Sequence, residues 1–267
     1  MSGIAITIKG ADYSQSGYGR ITGEKTTTGL LIDFDVIDNG VAKDAEDIYM
    51  NDGDQVKVKD WVSSPSPTLY TAELQNTQKW EMWHGRIVCP MGSGKIMIPT
   101  GGRLAGMTAP LNEMTLATVL RLTDSVKGAS LGVREWRNGA SSSAMRWNVE
   151  TTSDGLVTLN IHDGGGWKNY VFGGQPLLTG KAYLVAVTVQ ASQADDTSAE
   201  ATLYLNGQQQ STLILPYLSL ELDQQKCVVD LKQPEELWAS LLYNRALSEE
   251  EVKSLGGYYA CKTGLAI

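Results

Sequence analysis

The feature that most constrains this chain is a recurring pattern of short apolar or alternating segments, each closed by a cluster of Gly, Asn, Asp or Ser. Leu30–Ile37 reads LLIDFDVI and runs into Asp38-Asn39-Gly40. Val56–Val58, Ile96–Ile98, Leu116–Leu122, Leu131–Trp136, Met145–Glu150, Val157–His162, Tyr183–Val189 and Thr202–Leu205 continue the series. Turn clusters stand between them at Asn138–Ser143, Ser153–Gly155, Asp163–Gly166 and Asn206-Gly207. Many short strands with Gly-rich turns predict an all-β fold, a β-sandwich or jelly roll. Asp38-Asn39-Gly40 predicts a tight hairpin turn, with Val41 beginning the return strand.

One helix start stands out near the end. In Ser248-Glu249-Glu250-Glu251 the serine hydroxyl can accept from the Glu251 amide while the Glu251 side chain reaches back, a capping box. Three acids in the first turn suit the helix dipole. Gly256-Gly257 offers a left-handed stop, so a single short C-terminal helix of about two turns is expected. Ser63–Pro67 (SSPSP) breaks the chain, because proline cannot extend a central strand. It marks either a long loop or a linker between an N-terminal strand-rich extension, residues 1–62, and a main sandwich, residues 68–262.

Composition excludes several classes. Hydrophobic content of 42% can build a core, and a formal net charge of -8 argues against a nucleic-acid partner. No apolar run approaches the ~18 residues of a spanning helix, so no membrane insertion is expected. Met1–Lys9 is too short and polar for a secretion leader. Cys89, Cys227 and Cys261 form no CxxC pair and read as free buried thiols, with a Cys227–Cys261 bridge as the alternative. The aromatic content is skewed to 7 Trp and 11 Tyr against 2 Phe.

The last third carries a resemblance. LTGKAYLVAVTV at 178–189, ATLYLNG at 201–207 and LYNRALSEEEV at 242–252, in that order, resemble the laminin G-like group of the concanavalin A-like lectin/glucanase superfamily over roughly residues 70–260. The resemblance implies a jelly-roll β-sandwich. Read physically, Tyr243 and Leu247 anchor a strand-to-helix corner, and Arg245 pairs with acids of the first helical turn. The motif marks a fold and not a site. Trp238 and Leu241 stand where the family is polar, so a face that is normally wet should be covered, by the N-terminal residues or another subunit. Ile4–Thr22 is more weakly similar to openings of phage or prophage tail-associated proteins. That likeness implies a virion-associated or extracellular protein, with the cytoplasm as the setting otherwise.

Catalytic chemistry finds little footing. Related sandwich glucanases alternate carboxylates on one strand, and the nearest stretch, Glu221-Leu222-Asp223, lacks a third acid. His84 and His162 neighbour no evident nucleophile. Nothing is spaced for zinc. Two acid clusters, Asp33/Asp35/Asp38/Asn39 and Asp44/Asp47/Asp52/Asp54, are rich enough in oxygen for Ca2+, which many laminin G-like domains bind. Neither follows an EF-hand pattern, and both also read as solvated loops.

Binding has a better candidate. On the period-two rule Met145, Trp147 and Val149 point one way, and Arg146, Asn148 and Glu150 the other. Val157, Leu159 and Ile161 oppose Thr158, Asn160 and His162; Leu131 and Val133 oppose Arg134 and Trp136. As an antiparallel meander these strands place Asn148 near Asn160 and Arg146 near His162. The resulting polar face carries Arg134, Trp136, Arg146, Asn148, Glu150, Asn160 and His162, with Trp167 bordering it from a loop. A tryptophan ring stacks on sugar C–H faces while amides and carboxylates pair with hydroxyls. The expected function is non-catalytic carbohydrate or cell-surface binding, with a glycan or bacterial cell-surface polysaccharide as partner and a homo-oligomer as one arrangement. The alternatives are a structural assembly subunit without ligand, and a glycoside hydrolase using Glu150.

Overall fold

The computed structural model describes residues 23–39, 49–50, 55–60, 68–75, 80–83, 86–89, 94–99, 113–135, 146–162, 166–191, 198–216, 226–231 and 235–263. Among these residues the elements are β1 (Leu30–Asp35), α1 (Val36–Asn39), β2 (Tyr49–Met50), β3 (Gln55–Asp60), β4 (Thr68–Gln75), β5 (Trp80–Trp83), β6 (Arg86–Cys89), β7 (Gly94–Pro99), β8 (Met114–Leu122), β9 (Val133–Glu135), β10 (Arg146–Thr151), β11 (Val157–His162), β12 (Trp167–Val171), β13 (Ala182–Ala191), β14 (Ser198–Leu205), β15 (Gln208–Pro216), β16 (Lys226–Leu231), β17 (Glu235–Tyr243) and α2 (Glu249–Thr263). The fold is all-β with one C-terminal helix beyond the single turn of α1.

A 14-stranded antiparallel sheet runs β15-β14-β13-β8-β17-β1-β3-β4-β7-β16-β9, with β6, β5 and β2 attached through β17. A second sheet, β10-β11-β12, lies against one face. Strands β8, β13 and β17 read as near-continuous apolar runs because both of their faces are covered. On one side Leu116, Leu120, Val185 and Val187 share a core with Trp147, Val149, Leu159 and Ile161 of the small sheet. On the other, Ala117, Val119, Leu184, Ala186, Leu241 and Tyr243 pack under Val252, Leu255 and Tyr259 of α2. The layers are therefore small sheet, large sheet and helix.

The LYNRALSEEEV corner forms as its residues demand. Ser248 Oγ accepts from Glu251 N at 3.2 Å, and Ser248 N donates to Glu251 Oε2 at 2.9 Å. Arg245 grips Glu251 with two nitrogens, at 2.8 and 2.5 Å, and its Nε donates to Thr28 O at 2.9 Å. Tyr243 and Leu247 are buried. The hydrogen bonds from Arg245 are the main reason the Glu251 carboxyl is held down to about 2.

Several expectations need correction. Strand β1 ends at Asp35, two residues early, because Asp35 Oδ1 accepts from both Ile37 N and Asp38 N at 3.0 Å and caps a helical turn where a hairpin was expected. The helix α2 spans 15 residues and passes straight through Gly256-Gly257. Close packing explains it. A Cβ on Gly23 would lie 2.0 Å from Ser254 O and 2.3 Å from Tyr258 N, so the N-terminal segment presses against the helix backbone. On the helix's other side, a Cβ on Gly256 would already touch Leu184 and the Asn206-Gly207 turn. That turn is the hairpin expected, with Asn206 at φ 55 and Gly207 at φ 76.

The SSPSP segment connects β3 and β4, which pair directly with Asp60 opposite Thr68. Strand β1 lies between β17 and β3, so residues 30–35 and 235–243 share one sheet. Trp238 is covered, as expected: it shares a buried cluster with Leu30 and Ile37 of the N-terminal segment and with Val252, Leu255 and Tyr259 of α2, and the guanidinium groups of Arg86 and Arg121 lie over its ring at 5.5 and 5.9 Å. Glu236 bridges the two arginines, 2.8 Å from Arg86 Nε and in contact with Arg121. Cys261 is a free, exposed thiol and not a buried one, which leaves no bridge to Cys227.

Candidate functional site

The three-stranded sheet holds the predicted polar face. Its register is the one the alternation requires: Arg146 opposite His162, Asn148 opposite Asn160, Glu150 opposite Thr158. The Ser153–Gly155 turn fixes it, with Gly155 at φ 82. Trp147, 2% exposed, points into the core as read from the sequence. The third strand differs from the expectation. The partner of β11 is β12, while β9 pairs with β16 of the large sheet, Arg134 opposite Val228. The residues before it pair with β10, through the Ser130–Glu150 bridge and the Leu131 N to Val149 O hydrogen bond of 2.8 Å. The chain leaves at Gly132 (φ 103), where a Cβ would strike Thr118 Oγ1 at 2.0 Å. Trp136 lies outside the described residues, and Arg134, Arg146 and His162 are fixed only by their register.

Trp167, expected in a loop, lies in strand β12. The strand brings Trp167 opposite His162 and Asn169 opposite Asn160. Trp167 is 50% exposed, the largest apolar side chain to stand so open among the described residues. The outward row of β12, Trp167, Asn169 and Val171, is exposed throughout.

The centre of the face is a hydrogen-bonded network. Asn148 Nδ2 donates to Glu150 Oε1 at 2.8 Å, and Asn160 Nδ2 donates to Glu150 Oε2 at 3.1 Å. Thr158 Oγ1 donates to Asn160 Oδ1 at 3.0 Å and lies 3.2 Å from Tyr170 O, a second acceptor for its proton. Asn148 and Asn160 are each 7% exposed, so they lie at the bottom of the face and hold the partly exposed Glu150 from two sides. Asn148 Oδ1 is buried and accepts no hydrogen bond. Thr158 and Asn169 are the members of this face that the sequence reading left out of the candidate set.

The chain matches no protein-family model and no curated protein. Its fold is similar to solved structures. The receptor binding domain of botulinum neurotoxin D aligns with a TM-score of 0.56 at 12% identity, over 86% of this chain and 53% of that one. The binding domain of botulinum neurotoxin DC in complex with SialylT gives 0.55 at 10% identity, over 86% and 51%. Trypanosoma rangeli sialidase gives 0.51 at 14%, over 89% and 34%. The chain thus spans about half the length of the two neurotoxin domains and a third of the sialidase. At these identities the likeness shows the fold alone. The stretch that resembles phage tail proteins, Ile4–Thr22, lies outside the described residues.

The acid cluster of β1 has a different role from the one its composition allowed. Lys25 Nζ lies 3.2 Å from Asp33, 2.9 Å from Asp35 and 2.7 Å from Asp38. Tyr259 OH donates to Asp35 Oδ2 at 2.7 Å, Tyr258 OH to Asp38, and Lys262 Nζ to Asp38 Oδ1 at 3.2 Å. Burial works against the Lys25 charge, yet Asp33, Asp35 and Asp38 outweigh it and raise its pKa. Burial also opposes ionisation of Asp38, but hydrogen bonds from Lys25 and Tyr258 hold its carboxyl far below the ordinary range. An ammonium group therefore sits where a divalent cation would need to be. A pocket of about 500 Å³ opens beside it, lined by Gly23, Glu24, Thr27 and Tyr258. The second acid cluster, Asp44 to Asp54, and Glu221–Asp223 lie outside the described residues.

Proposed function

We propose that this chain is a non-catalytic glycan-binding module of the laminin G-like, concanavalin A-like type, and that the outer face of β10-β11-β12 holds the sugar. The observation that carries the reading is the half-exposed Trp167. It stands opposite His162 at one end of the face, whose other end carries Glu150, a carboxylate that two buried amides orient. An exposed indole costs apolar hydration and gains by stacking on a pyranose C–H face; a fixed carboxylate accepts hydroxyl protons with little ordering left to do. The fold likeness to a neurotoxin binding domain in complex with SialylT is compatible with such a role. So is the strand-to-helix corner built by LYNRALSEEEV.

A hydrolase would need two carboxylates flanking the bond, about 5–9.5 Å apart. Among the described residues this face carries one, and both of its oxygens are occupied by amide donors. The test is affinity electrophoresis and calorimetry against neutral and acidic polysaccharides, cell-wall preparations included. Binding that falls at least tenfold in Trp167→Ala at unchanged melting temperature supports the reading. Turnover of any bound polysaccharide that is abolished in Glu150→Gln overturns the non-catalytic part.

A further inference from the structure

We infer that a second pocket, lined by Arg121, Lys181, Tyr183 and Asn206, binds a small oxyanion. It has a volume of about 500 Å³ and is completed by Gln175, Gly180 and Ala182. Three stretches of chain meet there: the end of β8, the loop that enters β13, and the turn between β14 and β15. None of these residues belongs to the face of β10-β11-β12, so the inference stands apart from the glycan reading.

Backbone contacts decide which ends of the polar side chains are left for a ligand. Asn206 Oδ1 accepts from Leu184 N at 2.9 Å, so the remaining end is its NH2 donor. Tyr183 OH accepts from Leu178 N at 3.1 Å and keeps its own proton to give. Neither the amide nor the phenol donates to an acceptor among the described residues. The scaffold is held before a ligand arrives: Asn206 N donates to Leu184 O at 2.9 Å, and Gly180 N to Leu122 O at 2.8 Å.

Charge acts in the same direction. Arg121 and Lys181 line the pocket, and no carboxylate does so among the described residues. Arg121 shares Glu236 with Arg86, so one carboxylate serves two guanidinium groups. Lys181 is exposed and makes no ion pair among the described residues. In a chain with 30 acids against 22 bases, a concavity of this sign gathers anions. Two cations and two oriented neutral donors match an oxyanion, whose oxygens only accept.

The experiment titrates the unaltered chain by calorimetry at constant ionic strength with inorganic phosphate, sulfate and glucuronate, and with methyl glucoside as the neutral control. At least one anion binds saturably, and at least tenfold more tightly than methyl glucoside. Glucuronate ahead of phosphate assigns the anion to an acidic sugar; phosphate or sulfate ahead of glucuronate assigns a free inorganic ion. In Asn206→Asp the side chain still accepts from Leu184 N but offers a negative oxygen in place of the NH2, and anion affinity falls about tenfold or more. Lys181→Gln, a change at an exposed position, costs about threefold. It decides the matter on its own if Asn206→Asp fails to fold. Anions that bind no better than methyl glucoside, or an affinity unchanged in either folded variant, overturn the inference.

Discussion

Replacing Lys25 with methionine removes the counter-ion of a buried acid cluster. The Lys25 ammonium serves three carboxylates, and the side chains of Asp33 and Asp35 are 0% exposed. Methionine fills similar space but leaves buried negative charge without its counter-ion. Breaking a buried ion pair from one side costs about 3–5 kcal/mol. The whole stability of a domain is only about 5–15 kcal/mol. With a urea slope of ~3 kcal/mol/M the midpoint falls by roughly 1–1.7 M. The pH dependence gives a second readout. Asp38 has a depressed folded pKa, so its contribution to the unaltered protein is present above the unfolded value of 3.8 and is lost as pH falls below it. In Lys25→Met, acidification neutralises the uncompensated carboxylates and relieves the defect. The difference between the two proteins therefore narrows from pH 7 to pH 4. Lys25→Met/Asp33→Asn/Asp35→Asn recovers much of the loss at pH 7, since the charges that needed Lys25 are gone. A deficit under about 1 kcal/mol at pH 7, or one unchanged at pH 4, refutes the claim that this cluster is a buried electrostatic lock.

Four further outcomes follow from contacts in the same structure. Calcium raises the melting temperature of Lys25→Ala more than that of the unaltered protein, because removing the ammonium opens three carboxylates to a divalent ion; equal shifts in a thermal melt refute this. Gly23→Ala lowers stability by about 2 kcal/mol or more, since its Cβ would meet helix backbone at 2.0 Å, while Gly173→Ala, whose nearest neighbour is 3.8 Å away, changes little in denaturant titration. Ser248→Ala costs about 1 kcal/mol as a lost cap. Glu251→Gln removes the part of the stability profile that the unaltered protein loses as pH falls from about 4.5 towards 2, the window set by the lowered Glu251 pKa.

How much of this was legible in the sequence depends on where the controlling contact lies. The pairing of Asn148 with Asn160 was legible, because clean alternation on both strands and a tight Ser153–Gly155 turn leave one register. The strand-to-helix corner was legible because its partners, Arg245, Ser248 and Glu251, are neighbours in sequence. Strand β12 was not, since WKNYV is an exposed edge strand and carries no periodic signal. The full length of α2 was hidden by Gly256-Gly257, whose role is close approach to the hairpin and to Gly23, a contact made across the chain. The Lys25 cluster has a signal in the sequence. Asp33 and Asp35 share one face of an otherwise apolar strand, LLIDFDVI, and two buried carboxylates on a strand require a cation. Asp35 also shows why Val36 and Ile37 did not extend the strand: a side chain that captures two backbone amides overrides β propensity.

The measurement that bears most directly on the account is the affinity of the unaltered protein and of Trp167→Ala for a panel of neutral polysaccharides, read with melting temperatures alongside. The account predicts saturable binding to at least one of them and a loss of at least tenfold in the variant, measured below the melting temperatures of both proteins. Binding that survives the loss of Trp167 undiminished would contradict it.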